Sequence, residues 1–156
     1  MTKLIRFDWA LKNILRNKAN FEILEGFLSE LLKKDVKILE ILESESNKET
    51  RTDKLNRVDV LAKIGKKEKV LIEVQASSQW DYLSRILYGT SKLITENISE
   101  GEDYKNVIKV YTVSIVYFNL GRGEDYIYKG KTEFVGQNKK DKLELNDNES
   151  KLYAGK

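Results

Sequence analysis

The chain has 156 residues, with 28 lysines and arginines against 25 aspartates and glutamates, for a formal net charge of +3. A chain of that length can bury one sizeable core without disulfides or a structural metal, and so mild a positive excess permits nucleic-acid binding without demanding it. There is no cysteine and no histidine. That excludes zinc fingers, disulfide frameworks, thiol nucleophiles, Ser-His-Asp triads and imidazole acid–base chemistry, so any catalysis must run on carboxylates, Lys, Tyr, Ser or Thr.

No run approaches the ~18 consecutive apolar residues of a membrane span. The stretch from Met1 to Asp8 lacks the apolar core of a signal peptide, and a cytoplasmic protein is expected. Asp8 stands where an N-cap would, ahead of the helically spaced Trp9, Ala10, Leu11, Ile14 and Leu15, which predicts a first helix over about 8–17. Asn20 can cap a second helix in which Phe21, Ile23, Leu24, Phe27, Leu28, Leu31 and Leu32 make a broad apolar face, ending at Lys33-Lys34. From Val36 the apolar period changes to two, through Ile38, Leu39, Ile41 and Leu42, which predicts a strand over about 36–45. The polar stretch from Ser44 to Lys54 then breaks the pattern.

Residues 55–64 and 69–75 read as the two strands of a β-hairpin around a Gly-containing turn. Val58, Val60, Ala62 and Ile64 alternate on one face and are answered by Val70, Ile72 and Val74. The other face carries Asp59, Leu61 and Lys63, answered by Lys69, Leu71, Glu73 and Gln75. An odd-length turn such as Gly65-Lys66-Lys67 makes Asp59 and Glu73 cross-strand neighbours on one face. Helical spacing returns over 79–98, through Trp80, Leu83, Ile86, Leu87, Leu93 and Ile94. After Gly101, the β-branched and aromatic run from Val107 to Phe118 reads as a buried strand. A weaker strand is expected near 125–135, and beyond Gly136 the Lys/Asp/Asn/Glu-rich text reads as loosely packed.

Two carboxylates side by side on a sheet repel, so a protein that pairs them supplies a cation or protonates one. Asp59 opposite Glu73 is therefore half of a shell for a hard ion such as Mg²⁺, which takes one or two protein carboxylates and completes its sphere with water and substrate phosphate. Equally, both acids can lie on a solvated sheet face among Lys63 and Lys69, the ordinary state of antiparallel strands. Arg85, with Tyr82 and Tyr88 one turn to either side, can hold a phosphate near such an ion or make an ordinary salt bridge. The run Lys63, Lys66, Lys67 and Lys69 can follow a DNA backbone or simply solvate a hairpin tip, and Trp80, Tyr82 and Tyr88 read as core or helix-packing aromatics.

Asp59, followed after a short hairpin by Glu73-Val74-Gln75, resembles the signature of the PD-(D/E)XK nuclease superfamily. The chain more specifically resembles its recombination-promoting nuclease or transposase branch, as found in bacteria. The similarity runs in order through Phe7-Asp8-Trp9-Ala10-Leu11-Lys12, Asn20-Phe21, Leu24-Glu25-Gly26-Phe27-Leu28, Asn56-Arg57-Val58-Asp59, Ile72-Glu73-Val74-Gln75 and Arg85 with Tyr88. It continues through Gly101-Glu102-Asp103-Tyr104 and Tyr117-Phe118-Asn119-Leu120-Gly121 to Gly130-Lys131-Thr132.

The resemblance implies an α/β (α+β) restriction-endonuclease-like core, a central mixed sheet flanked by helices, with the site where the hairpin strands splay. It implies a nuclease-like domain over 1–136 and a polar segment over 137–156, in a chain that is truncated or is the nuclease part of a longer one. The implied activity is Mg²⁺-dependent hydrolysis of DNA phosphodiesters, with Mn²⁺ as an alternative ion, linked to recombination or mobile elements. By carry-over, Asp59 and Glu73 hold the metal and the Val74 carbonyl adds a ligand. Gln75 then positions the water, Arg85 and Lys63 meet the DNA, and Asp8 is either an additional acid or an N-cap. DNA is the implied partner, and a homodimer is compatible with it. Gln75 replaces the superfamily's lysine, and an amide can orient a water but cannot bring positive charge. Histidines common in this branch are replaced by Lys129-Gly130-Lys131 and Gln137-Asn138. The alternative is a catalytically silent DNA-binding or protein-interaction module on the same fold.

Overall fold

The computed structural model describes residues 14, 15, 17, 20–42, 59–146, 149 and 150. Asp8, most of the expected first helix, Val58 and the polar stretch beyond Glu43 lie outside the described residues. The first compact unit, Met1–Leu120, holds every named helix and strand. In chain order these are α1 (Phe21–Leu32), β1 (Glu40–Leu42), β2 (Val60–Gly65), β3 (Glu68–Gln75), α2 (Tyr82–Thr95), a short 3₁₀ turn (Tyr104–Asn106) and β4 (Lys109–Val116). The strands form one mixed sheet in the order β1-β2-β3-β4, antiparallel except for the parallel β3–β4 pair that α2 connects. No helix among the described residues is long and apolar enough to cross a membrane.

Strand alternation gives the sheet two different faces. Val60, Ala62, Val70, Ile72, Val74 and Val113 form one, and they pack with Leu24, Leu28 and Val36 into a dry aliphatic core under α1. Leu24 and Leu28, four residues apart, are the fully buried residues of that helix. Ile23 and Phe27 were expected on the buried face but are exposed, because each lies one residue, about 100° around the helix, from the Leu24–Leu28 stripe. Glu25 ties α1 to the approach to β1: its Oε1 accepts the Ile38 N–H at 2.7 Å, and Oε2 accepts from Lys37 Nζ at 3.2 Å. The Ile38 N–H, working against burial and aided by Lys37, holds the Glu25 carboxyl below its ordinary 4.5.

The opposite face is covered by α2. Leu61 and Leu71 pack with Leu93 and Ile108 into a second apolar cluster, and Thr90 Oγ1 meets Thr112 Oγ1 at 2.9 Å to pin α2 to β4. The solvated-face alternative for this side of the hairpin is thereby corrected: a helix lies over it.

Four sequence expectations change. Among the described residues, strand β1 is Glu40–Leu42 and does not reach back to Val36. Helix α2 starts at Tyr82, leaving Trp80 97% exposed rather than in the core, and Tyr88 is exposed too. Strand β4 is half-buried rather than buried, since it forms one edge of the described sheet. No strand forms over 125–134: Tyr126, Ile127, Tyr128 and Phe134 are exposed, so no apolar face rewards extension there. That segment belongs to the second compact unit, Gly121–Lys156, whose described pairing is an isolated bridge between Val135 and Lys142. Within it Lys131 and Lys142 both contact Glu133 and push its carboxyl down to about 2.

Two stability outcomes follow from this packing. Leu28→Ala should cost about 2–5 kcal/mol in urea denaturation, the range for emptying a fully buried leucine site, whereas Leu83→Ala on the exposed side of α2 should stay within about 0.5 kcal/mol. Because the Glu25 carboxyl sits below its ordinary value when folded, its contribution is present at neutral pH and is lost as pH falls below 4.5 through the folded value. Glu25→Gln should flatten the part of the stability profile that lies below pH 4.5.

Candidate active site

The hairpin brings Asp59 to Glu73, though not by the expected turn. Strands β2 and β3 are joined by the two-residue turn Lys66-Lys67, with Gly65 opposite Glu68. A two-residue turn alone gives the wrong parity. The register shifts between Lys63 and Gly65, so Ile64 is bulged out and the pairs Lys63–Lys69, Leu61–Leu71 and Val60–Ile72 follow. One step beyond the last pair stand Asp59 and Glu73. There the ladder gives way to a side chain: Asp59 Oδ2 accepts the Val74 N–H at 2.6 Å, placing its carboxylate on the peptide bond between Glu73 and Val74.

Glu73 is the buried charged residue of the described core, 4% exposed. A carboxylate so placed needs compensation. Arg85, in the first turns of α2, supplies it, with Nη2 donating to Glu73 Oε2 at 2.9 Å. The guanidinium lies 5.3 Å from the centre of the Tyr82 ring, which is itself met edge-on by Phe118 at 5.7 Å. Tyr82 and Arg85 are three residues apart, hence on one side of the helix.

Tyr82 is the site residue that helical spacing concealed. It is 1% exposed, its hydroxyl makes no hydrogen bond of ordinary geometry, and Ser114 lies beside it. Burial, reinforced by the Glu73 and Asp59 carboxylates, pushes the phenol above its ordinary 10.0 against the opposing pull of Ser114 and Arg85. Both acids thus act on one buried hydroxyl. The signal in the sequence was its i, i+3 relation to Arg85, but Trp80 and Tyr88 flank it at similar spacing and are exposed.

The remaining expected residues separate. Gln75 shares the face of Glu73, as its pairing with Val116 beside the Glu73–Ser114 pair requires, and its Nε2 donates to the Ser77 carbonyl at 3.2 Å. Val74 turns its side chain into the core under α1 and gives its N–H to Asp59. Lys63 lies on the face of Asp59 but four residues along β2, about 13 Å away at strand rise. It stands between Glu40 and Lys69. Burial, aided by the Lys63 charge, pushes the Lys69 ammonium below its ordinary value, and Lys69 donates to Asn97 Oδ1 at 2.6 Å.

The donor set at Asp59 and Glu73 consists of carboxylate oxygens, and among the described residues no group of three acids, histidines or cysteines forms. Carboxylate oxygens suit a hard ion of the Mg²⁺ type and do not suit a soft one.

Tyr82→Phe removes only the unpartnered hydroxyl. Thermal or urea unfolding should show the variant as stable as the parent or more so, by up to about 1 kcal/mol, because an unsatisfied buried donor costs stability. A loss larger than that would mean the hydroxyl does have a partner.

Comparison with known proteins gives one informative match. A search of the curated proteins found no match, and a search of the solved structures found none. A family model described as PD-(D/E)XK nuclease family transposase matches residues 5–149. The mixed four-stranded sheet with helices on both faces agrees with the α/β nuclease core expected of that family. With the match running across nearly the whole sequence, this chain belongs to the PD-(D/E)XK nuclease transposase family.

Proposed function

We propose that the chain is a Mg²⁺-dependent DNA endonuclease domain that hydrolyses phosphodiester bonds in recombination or the movement of genetic elements. The observation that carries this reading is the Asp59–Val74 hydrogen bond beside the Glu73–Arg85 pair, which gathers two acids and a cation at one end of the hairpin. Family membership supports a nuclease acting on DNA.

In this reading Asp59 and Glu73 hold the divalent ion, with the Val74 carbonyl as a further ligand. A bound Mg²⁺ lowers the pKa of a coordinated water and offsets charge gathering on the phosphoryl oxygens. The chain's own residues do the rest. The Val74 N–H fixes the Asp59 carboxylate, so its orientation is set before any substrate arrives. Gln75 presents its amide on the same face, held at Nε2 by Ser77, and orients the attacking water without titrating. Arg85 brings the positive charge that Gln75 lacks and faces the phosphate, while Lys63 extends the DNA path along the strand. Asp8, outside the described residues, is left as an additional acid or a cap.

Plasmid nicking by the purified chain tests this. Cleavage should require Mg²⁺ or Mn²⁺, stop with EDTA, and disappear in Asp59→Ala and Glu73→Gln. Gln75→Ala should slow cleavage by about 10²-fold, the usual weight of a group that manages proton transfer and water. Gln75→Lys should retain some activity while needing more metal, because an added ammonium beside two carboxylates opposes cation binding. If the parent cleaves nothing with any divalent ion, yet binds DNA in a salt-sensitive way that Asp59→Ala leaves intact, the endonuclease reading fails.

A further inference from the structure

Glu73 already has a cation on it. Arg85 Nη2 is 2.9 Å from Glu73 Oε2, with the Glu73 side chain 5% exposed and that of Arg85 33% exposed. Two positive groups therefore claim one buried carboxylate as soon as a divalent ion enters the site, and like charges a few ångströms apart repel strongly away from bulk water. The guanidinium contact is also incomplete. The Arg85 Nε is buried with no hydrogen-bond partner, so the fork that makes Arg–carboxylate pairs strong is only partly used. A fully satisfied buried pair would resist displacement, but this one leaves a donor seeking an acceptor.

We infer that Arg85 sets the cation affinity of the Asp59–Glu73 site by exchange: its guanidinium holds Glu73 in the absence of a divalent ion and releases that carboxylate when the ion binds. The inference rests on the reading of Asp59 and Glu73 as a cation site. The Tyr82 ring, 5.3 Å from the guanidinium, gives Arg85 a face to rest on in either position. Once released, the fork presents the unpartnered Nε to an anionic oxygen, and a DNA phosphodiester is the acceptor this family's substrate would offer. Divalent ion and phosphate binding are then linked with positive sign, since each favours the arrangement the other needs.

The test is Mg²⁺ binding alone, by titration calorimetry on the full chain without DNA, so that no turnover enters the readout. Arg85→Met should bind Mg²⁺ about 10-fold tighter than the parent, and Arg85→Gln, which keeps a neutral donor for Glu73, should follow it in direction. Arg85→Lys restores the charge and should return the affinity to about the parental value, a rescue by charge that a purely structural arginine would not give. Without metal, Arg85→Met should melt below the parent because Glu73 is left uncompensated, and its Mg²⁺-induced rise in melting temperature should exceed that of the parent. If Arg85→Met does not fold, Arg85→Gln and Arg85→Lys decide the matter. Equal Mg²⁺ affinity in the parent, the neutral variants and Arg85→Lys, with Asp59→Asn abolishing binding, overturns the exchange and leaves the cation site standing. Binding that survives Asp59→Asn, or that is absent from every form at millimolar Mg²⁺, overturns the cation site and the exchange together.

Discussion

Burying the Glu73 carboxylate under a helix is the constraint to which the site end of the sheet answers. An uncompensated charge there costs several kcal/mol, so the covering helix has to deliver a cation at that position and no other. Arg85 meets the requirement from the first turns of α2, where the positive end of the helix dipole adds to its charge. Its placement then fixes Tyr82 one turn earlier as the surface on which the guanidinium lies, and Phe118 after β4 as the edge that steadies the tyrosine ring.

Orientation of α2 is a division of labour along its length. Toward its C-terminus, Leu93 meets Leu61, Leu71 and Ile108, a contact that is strong but indifferent to small rotations. Toward its N-terminus the Arg85 ion pair, and past its middle the Thr90–Thr112 hydrogen bond, are directional and set the rotation. On the other face the buried layer under α1 is aliphatic and fixed by shape, with directional bonds only where Glu25 and Ser29 hold the backbone of Ile38 and Val36. A sheet with one dry face and one graded face is a stable base with a chemically addressable end.

Much of this was legible in the alternation of the hairpin. Period two separated Val60, Ala62, Val70, Ile72 and Val74 from Leu61, Lys63, Lys69, Leu71, Glu73 and Gln75, and the pairing bears out that separation residue by residue. What alternation cannot say is what covers a face, so Glu73 reads as half of a cation shell or as a solvated acid, and its burial under α2 is not foreseen. Helical spacing has a similar limit. It marked Trp80, Tyr82 and Tyr88 alike, yet only Tyr82 points inward, because the phase of α2 is fixed by Leu93 and Arg85 rather than by aromatic content. The run from Val107 to Phe118 shows the opposite failure. Its continuous β-branched character predicted full burial, but a strand at the edge of the described sheet is wetted along one side. Near 125–135, β-prone residues without a partner strand or an apolar face made no strand at all.

The bulge at Ile64 carries a consequence for how this hairpin can change over descent. Carried one step past its last pair, the register sets Asp59 opposite Glu73 only because one residue of β2 is left out of the ladder. Gaining or losing a single residue between the two acids, with nothing else altered, would turn one carboxylate through the sheet into the aliphatic layer under α1. Two residues can be added or removed at the tip together, and one can be exchanged against the bulge itself, since a three-residue turn without Ile64 looped out restores the same parity. The tip of the hairpin is therefore free in composition but counted in length, and a change in its residue number acts on the acids at the far end of both strands.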